Sequence, residues 1–271
     1  FVNSVLSDFY DIGAVSGSDY VKVSDSDRGG VLRSGAFMSA WTSQTESKLI
    51  LRAVKVRERM LCQHMPPFPS NIDLASIRSA QAAKVEEVKA LNDGVIRQSH
   101  LDYITTDVFE CKKCHEYIIN PLGVGMEDYD AVGRFRTEYL NGLPVDFTGF
   151  DSTLPTHQGV LYGIDDIFET ADARTFEFQG AQALGQFLST EDVAKDCLIE
   201  MSFRYAMGTG PDEFNPFKPE EIELTDTERS EYACITDQMR ESLDSSNDNI
   251  KEAIINVGMS DIARFRKIRN R

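Results

Sequence analysis

Residues 111–115 read Cys-Lys-Lys-Cys-His, and no other stretch constrains the fold of this chain so tightly. Two thiols three positions apart add across the two vinyl groups of a haem. The histidine that follows directly is then delivered to the iron as an axial ligand. C-x-x-C-H is the attachment signature of c-type haem. The rival readings carry less. A structural zinc site needs two more ligands, usually from a second close pair, and the sequence holds no other C-x-x-C or H-x-H pair. A thioredoxin-like dithiol opens a helix after a strand in a βαβ unit, and residues 105–110 lead into no such pattern. An incidental pair of core cysteines fits poorly beside Glu110, Lys112, Lys113 and Glu116. The pentapeptide therefore predicts one covalent haem c, with Cys111 and Cys114 as anchors and His115 as proximal ligand.

Composition narrows the partners. The 271 residues are 41% hydrophobic and 27% charged, enough for a sizeable core in one or two domains and unlike a disordered chain. A net charge of −16 repels phosphate backbones and anionic membrane surfaces, so no nucleic acid is expected as a partner. It suits a basic electron-transfer protein as redox partner. No run of about 18 apolar residues exists, so no membrane span is expected. Phe1-Val2-Asn3 shows neither a basic n-region nor an apolar h-region. Haem c is attached outside the bacterial cytoplasm, so the expected location is periplasmic or extracellular, with a leader removed or lying upstream. Three cysteines remain outside the motif: Cys62, Cys197 and Cys234. An oxidising compartment allows one disulfide among them. The expected pair is Cys197–Cys234, both in the C-terminal helical region, with Cys62 buried and free or bridged to a segment outside this chain.

Periodicity gives the elements. A short helix is expected over residues 2–10 and a strong one over 43–65. In the latter, Leu49, Ala53, Val56 and Met60 form an apolar stripe, while Arg52, Lys55, Arg57, Glu58 and Arg59 supply a charged surface. Pro66-Pro67-Phe68-Pro69 stops that helix, and 71–98 forms a second helical stretch. Residues 134–139 and 143–147, joined through Asn141-Gly142, predict a β-hairpin. Beyond it, helices are expected at 165–170, 177–188, 191–207, 225–243 and 250–256, with Thr190 as N-cap of the third.

The order of several motifs points to a family. Arg28-Gly29-Gly30-Val31-Leu32 is followed by Arg57-Glu58-Arg59-Met60-Leu61-Cys62 and Pro66-Pro67-Phe68-Pro69-Ser70-Asn71-Ile72. The haem pentapeptide comes next with Asn120-Pro121-Leu122-Gly123, then the run from Glu127 to Arg136, and later Cys197 and Arg204-Tyr205-Ala206-Met207-Gly208. This order resembles the C-terminal half of planctomycete-type cytochrome c multidomain proteins, secreted bacterial proteins built from domains of unknown function. The patterning reads as a mainly α fold: a helical cytochrome c-like haem domain with a small β-hairpin, followed by a C-terminal helical domain. The resemblance places the tail of a preceding helical domain at 1–27, the haem c-binding domain at 28–150 and the C-terminal domain at 151–271. It implies a partner, either a second chain or the N-terminal half of the same precursor. Asn120-Pro121 departs from the family's usual Asp-Pro.

The sixth iron position decides the chemistry, because a second strong ligand gives an electron carrier and an exchangeable one admits peroxide or oxygen. The resemblance points to His100 as that ligand, across a longer spacer than the family's. Met126 competes, since thioether ligation is typical of electron-carrying cytochromes, and His64 and His157 are lesser candidates. Arg134 and Arg136 are candidates to pair with haem propionates, because the guanidinium fork matches a carboxylate. No P-loop, G-x-G-x-x-G or Ser-His-Asp order is present. The expected function is an extracytoplasmic c-type haem protein that transfers electrons within a larger redox protein or complex. The alternative is a haem redox enzyme, peroxidase- or oxygenase-like, with an exchangeable sixth ligand.

Overall fold

The computed structural model describes residues 1–24, 28–42, 47–65, 72–91, 104–106, 109–138, 159–167, 174–211 and 224–264. The chain is mainly helical with one small antiparallel sheet, as its patterning predicts. It divides into two compact units. The first holds Phe1–Val56 with Met65–Leu188, and the second Arg57–His64 with Ser189–Arg271.

In the first unit the elements run α1 (Ser4–Tyr10), α2 (Gly35–Ser39), α3 (Leu49–Met60), α4 (Leu74–Leu91) and α5 (Phe109–Cys114). A π-helical turn (His115–Ile119) leads into α6 (Asn120–Val124), then β1 (Gly159–Leu161), β2 (Phe176–Phe178) and α7 (Gly180–Leu188). The last turn of α3 enters the second unit. The sheet pairs Gly159 with Phe178 and Leu161 with Phe176, so it is built from other residues than the predicted hairpin. Of that hairpin, 139–147 lie outside the described residues, and within 134–138 Phe135 bridges Tyr129. Glu177, expected at the start of a helix, is in β2, because the positive φ of Gly180 turns the chain into α7 only after the strand. Residues 165–167 are not helical.

The charged face expected on α3 is half wrong. Arg52 and Arg57 have no exposed surface. Periodicity explains why: positions 49, 52, 53 and 56 follow the i, i+3, i+4, i+7 rule, so Arg52 stands inside the apolar stripe. Its guanidinium is satisfied there by backbone. Nε and Nη2 donate to Met38 O at 3.3 and 3.0 Å, Nη1 to Tyr129 O at 2.7 Å and Met126 O at 3.2 Å, and Nη2 to Asp130 O at 2.6 Å. The Glu127 carboxylate lies 3.7 Å from Nη1. Desolvation pulls the Arg52 pKa below its ordinary value, and Glu127 opposes that pull. One side chain thereby ties α2 and the loop after α6 to α3.

That loop, residues 126–136, is held from several sides. Asp130 accepts the backbone N–H groups of Val132 and Arg134. Gly133 has φ +76°, and a Cβ there would lie 2.6 Å from Gly35 Cα, so only glycine allows α2 to approach. Arg28 donates to Gly133 O at 2.6 Å, with its guanidinium 4.3 Å from the Tyr10 ring centre. Asp128, buried, accepts the backbone N–H of Ala181 at 3.2 Å in the first turn of α7. Through this bond α7 is tied to the loop after α6.

The second unit packs α8 (Asp192–Met207), α9 (Asp226–Ser245) and α10 (Ile250–Met259), with the short α11 (Asp261–Arg264) after them. Phe203, Met207, Ile235, Met239, Leu243 and Val257 form its core. Thr225 and Glu228 make a reciprocal capping box at the start of α9. Glu191, and not Thr190, is the N-cap residue of α8, and its side chain makes no capping bond. Arg240 on α9 reaches Asp192 and Asp196 on α8 and Asp244 on its own helix. Arg57 donates to Gln63 Oε1 at 2.6 Å, and burial lowers its pKa to about 10.

The disulfide joins Cys62 to Cys197, not Cys197 to Cys234. The α9 sequence explains the correction. Tyr232, Ile235, Met239 and Leu243 face the core, which turns Cys234 to solvent. Cys62, in the left-handed region at φ 49° just after α3, has its Cα 5.2 Å from that of Cys197, within the range a disulfide requires.

Two outcomes are expected. Replacing Arg52 by Met strips donors from four carbonyls and removes one of the two cations beside buried Glu127. It should cost about 3–5 kcal/mol in urea unfolding, and a loss below about 1 kcal/mol would contradict the tie. Burial raises the Asp128 carboxyl to about 7 from an ordinary 3.8. A raised folded pKa makes the contribution of Asp128 full below pH ~4 and has it fade as pH rises through about 7. Unfolding free energy measured against pH should fall across that window more steeply in the native chain than in Asp128→Asn, with a difference in slope approaching about 1.4 kcal/mol per pH unit. Parallel curves would refute it.

Candidate haem-attachment site

Helix α5 carries Cys111 and Cys114. Three residues apart on a helix, they stand on one face with Cβ atoms about 5–6 Å apart. Both are partly exposed and lie outside the disulfide. Two thiols side by side and open to approach are what thioether formation at two vinyl groups requires. Lys112 pairs with Glu116 one turn on, at 3.4 Å.

The helix does not continue as α after Cys114. Residues 115–119 form a π turn, closed by the Asn120 N–H donating to His115 O, five residues back. Pro121 gives the reason. It has no N–H, so the i→i−4 bond that residue 121 would make to Tyr117 cannot form, and the helix widens by one residue. The chain then resumes as α6 with Pro121 in its first turn, where a proline is tolerated. Gly123 lets α6 lie against α3, since a Cβ would sit 2.6 Å from Leu49 O.

The π turn has a chemical result. On a regular helix, residues five apart point about 140° away from each other. Here Asn120 reaches His115, with Oδ1 3.0 Å from the imidazole Nδ1. Asn120 has no exposed surface, and its Nδ2 donates to Thr105 Oγ1 at 3.1 Å. A carboxamide oxygen only accepts, so Nδ1 carries the proton and donates. Nε2 is left with its lone pair. Desolvation pulls the His115 pKa below the ordinary histidine value, and the Asn120 bond opposes it, so the ring is neutral near pH 7. A neutral imidazole with one nitrogen bonded and the other offering a lone pair is the form that ligates a metal. The two thiols and this imidazole fit the donor set of c-type haem. Among the described residues no group of three or more His, Cys, Asp or Glu that could hold a metal ion occurs.

The other predicted site residues fall as follows. His100 and His157 lie outside the described residues. His64 belongs to the second unit. Met126 is fully buried, and its carbonyl accepts from Arg52, so its side chain fills the core of the first unit. Arg136 is committed to protein: Nη2 donates to Glu127 Oε2 at 2.9 Å and Ser47 Oγ at 3.1 Å, and Nε to Glu127 O. Arg134 bonds Asp130 at 3.0 Å but remains half exposed. Sequence reasoning missed Asn120 and Thr105. The available signal was an amide directly before a proline, five residues after the ligand histidine.

Comparison with known proteins agrees in part with this picture. No curated protein and no solved structure matches the chain. Residues 28–139, which include the Cys111–His115 pentapeptide, the π turn and the loop to Arg136, match the family model PSCyt3, a protein of unknown function (DUF1588) from the planctomycete cytochrome c-type domain family.

Proposed function

We propose that this chain is an extracytoplasmic c-type haem protein that passes electrons within a larger redox protein or complex. The observation that carries the reading is the juxtaposition of two approachable thiols with an imidazole held in its ligating tautomer. Haem c supplies a one-electron couple at iron. The chain's part is to anchor it through Cys111 and Cys114, present His115 Nε2, and keep that ring from rotating. The Cys62–Cys197 disulfide supports an oxidising compartment, periplasmic or extracellular. The match of residues 28–139 supports the same setting. We assign the sixth position to His100, with Met126 as the competing donor, and give Arg134 the role of propionate partner, since Arg136 is already paired within the protein. In this reading the chain is the C-terminal half of a longer precursor, and its partners are the remaining half and a redox protein.

The test is direct. The chain produced with a c-type haem maturation system should show one haem per polypeptide in a pyridine haemochrome spectrum, and the Cys111→Ala/Cys114→Ala variant should show no covalent haem. Absence of haem from the native chain ends the reading. Added cyanide should leave the resting spectrum unchanged. A prompt shift would favour the peroxidase- or oxygenase-like alternative.

A further inference from the structure

We propose that Asn120 is a positioning residue that sets the electron donation of His115, and that Pro121 is what places it there. The inference rests on the haem reading for its redox consequence, but not for its structural part. The arrangement is built and not incidental: Asn120 is wholly buried and its two amide atoms are each bonded, Nδ2 to the buried Thr105 and Oδ1 to the imidazole. A side chain on a regular helix cannot reach the residue five places back, so the contact exists because the π turn exists.

The consequence is electronic. A partner on the outer nitrogen of a ligating histidine raises its basicity in proportion to the partner's strength as an acceptor. A carboxylate draws the Nδ1 proton strongly, makes the ring imidazolate-like and favours the oxidised metal. An amide draws it weakly. Asn120 therefore holds His115 as a neutral imidazole of modest donor strength, and the iron potential should lie higher than with a carboxylate at the same place. Thr105 acts one step further out, by accepting the Asn120 Nδ2–H while Oδ1 faces the ring.

Two measurements test this separately. In the full chain made without haem, ¹⁵N NMR of the His115 ring should show the Nδ1–H tautomer, and both Asn120→Leu and Pro121→Ala should lose that preference. In the haem-bearing chain, the midpoint potentials should run Asn120→Asp below native and Asn120→Leu above it, with Thr105→Val moving in the direction of Asn120→Leu. A native Nε2–H tautomer, or equal potentials in all folded variants, overturns the proposal. Should Asn120→Asp fail to fold, the Leu and Val variants still decide the order. Absence of haem from the native chain would defeat the functional reading while leaving the tautomer measurement to judge the role of Asn120.

Discussion

The guanidinium of Arg52 lies in the core of the first unit without exposed surface, and the unit is arranged around it. Its donors reach carbonyls of Met38, Met126, Tyr129 and Asp130, with Glu127 as counter-charge. Moving an arginine out of water costs several kcal/mol unless nearly every N–H finds a partner, so the loop from Met126 to Asp130 has little freedom to sit elsewhere. Glu127, held in turn by Arg136 and Ser47, and Asp128, bonded to the first turn of α7, extend the same network. The run Glu127–Arg136, a prominent motif of the sequence, is a structural clasp. Its charged residues bind one another and the backbone, and only Arg134 keeps a half-exposed head.

The clasp bears on the haem motif through α6. That helix is pinned against α3 by the close approach at Gly123, and its exit loop is pinned by Arg52. With α6 fixed, the missing N–H of Pro121 has to be absorbed upstream, between His115 and Ile119, and the π turn results. A covalent-ligand motif, a proline and a buried arginine thus belong to one mechanical unit. The motif supplies the donor atoms, the proline brings Asn120 round to the imidazole, and the arginine holds the floor on which this happens.

Much of this was legible in the sequence, and the failures share a cause. The pentapeptide stands out because its spacing is that of c-type haem attachment, a signal independent of fold. The helices at 192–207, 226–245 and 250–259 lie where the patterning places them, at 191–207, 225–243 and 250–256. Arg52 stands in the apolar stripe, and its burial depends on carbonyls far along the chain, while buried Arg57 donates to the nearby Gln63 side chain; neither partner set is legible from local charge. Cys197 was paired with its neighbour in sequence, Cys234, whereas α9 turns that thiol to water and the chain brings Cys62 back across 135 positions. A tight turn such as Asn141-Gly142 is a local signal, while β1 and β2 pair across a long connection that carries none. Asn120 went unnoticed as a partner of His115 because five-residue spacing is meaningless on an α-helix, and the proline was not read as the cause of a wider turn.

The central claim is that Cys111 and Cys114 carry a haem whose proximal ligand is His115. Intact-mass spectrometry of the chain after c-type maturation, followed by mapping of the peptide that contains residues 111–115, addresses it most directly. The account predicts a single added mass of one haem, resistant to acid-acetone extraction and located on that peptide. An unmodified mass, or a zinc ion lost on acidification, would contradict it.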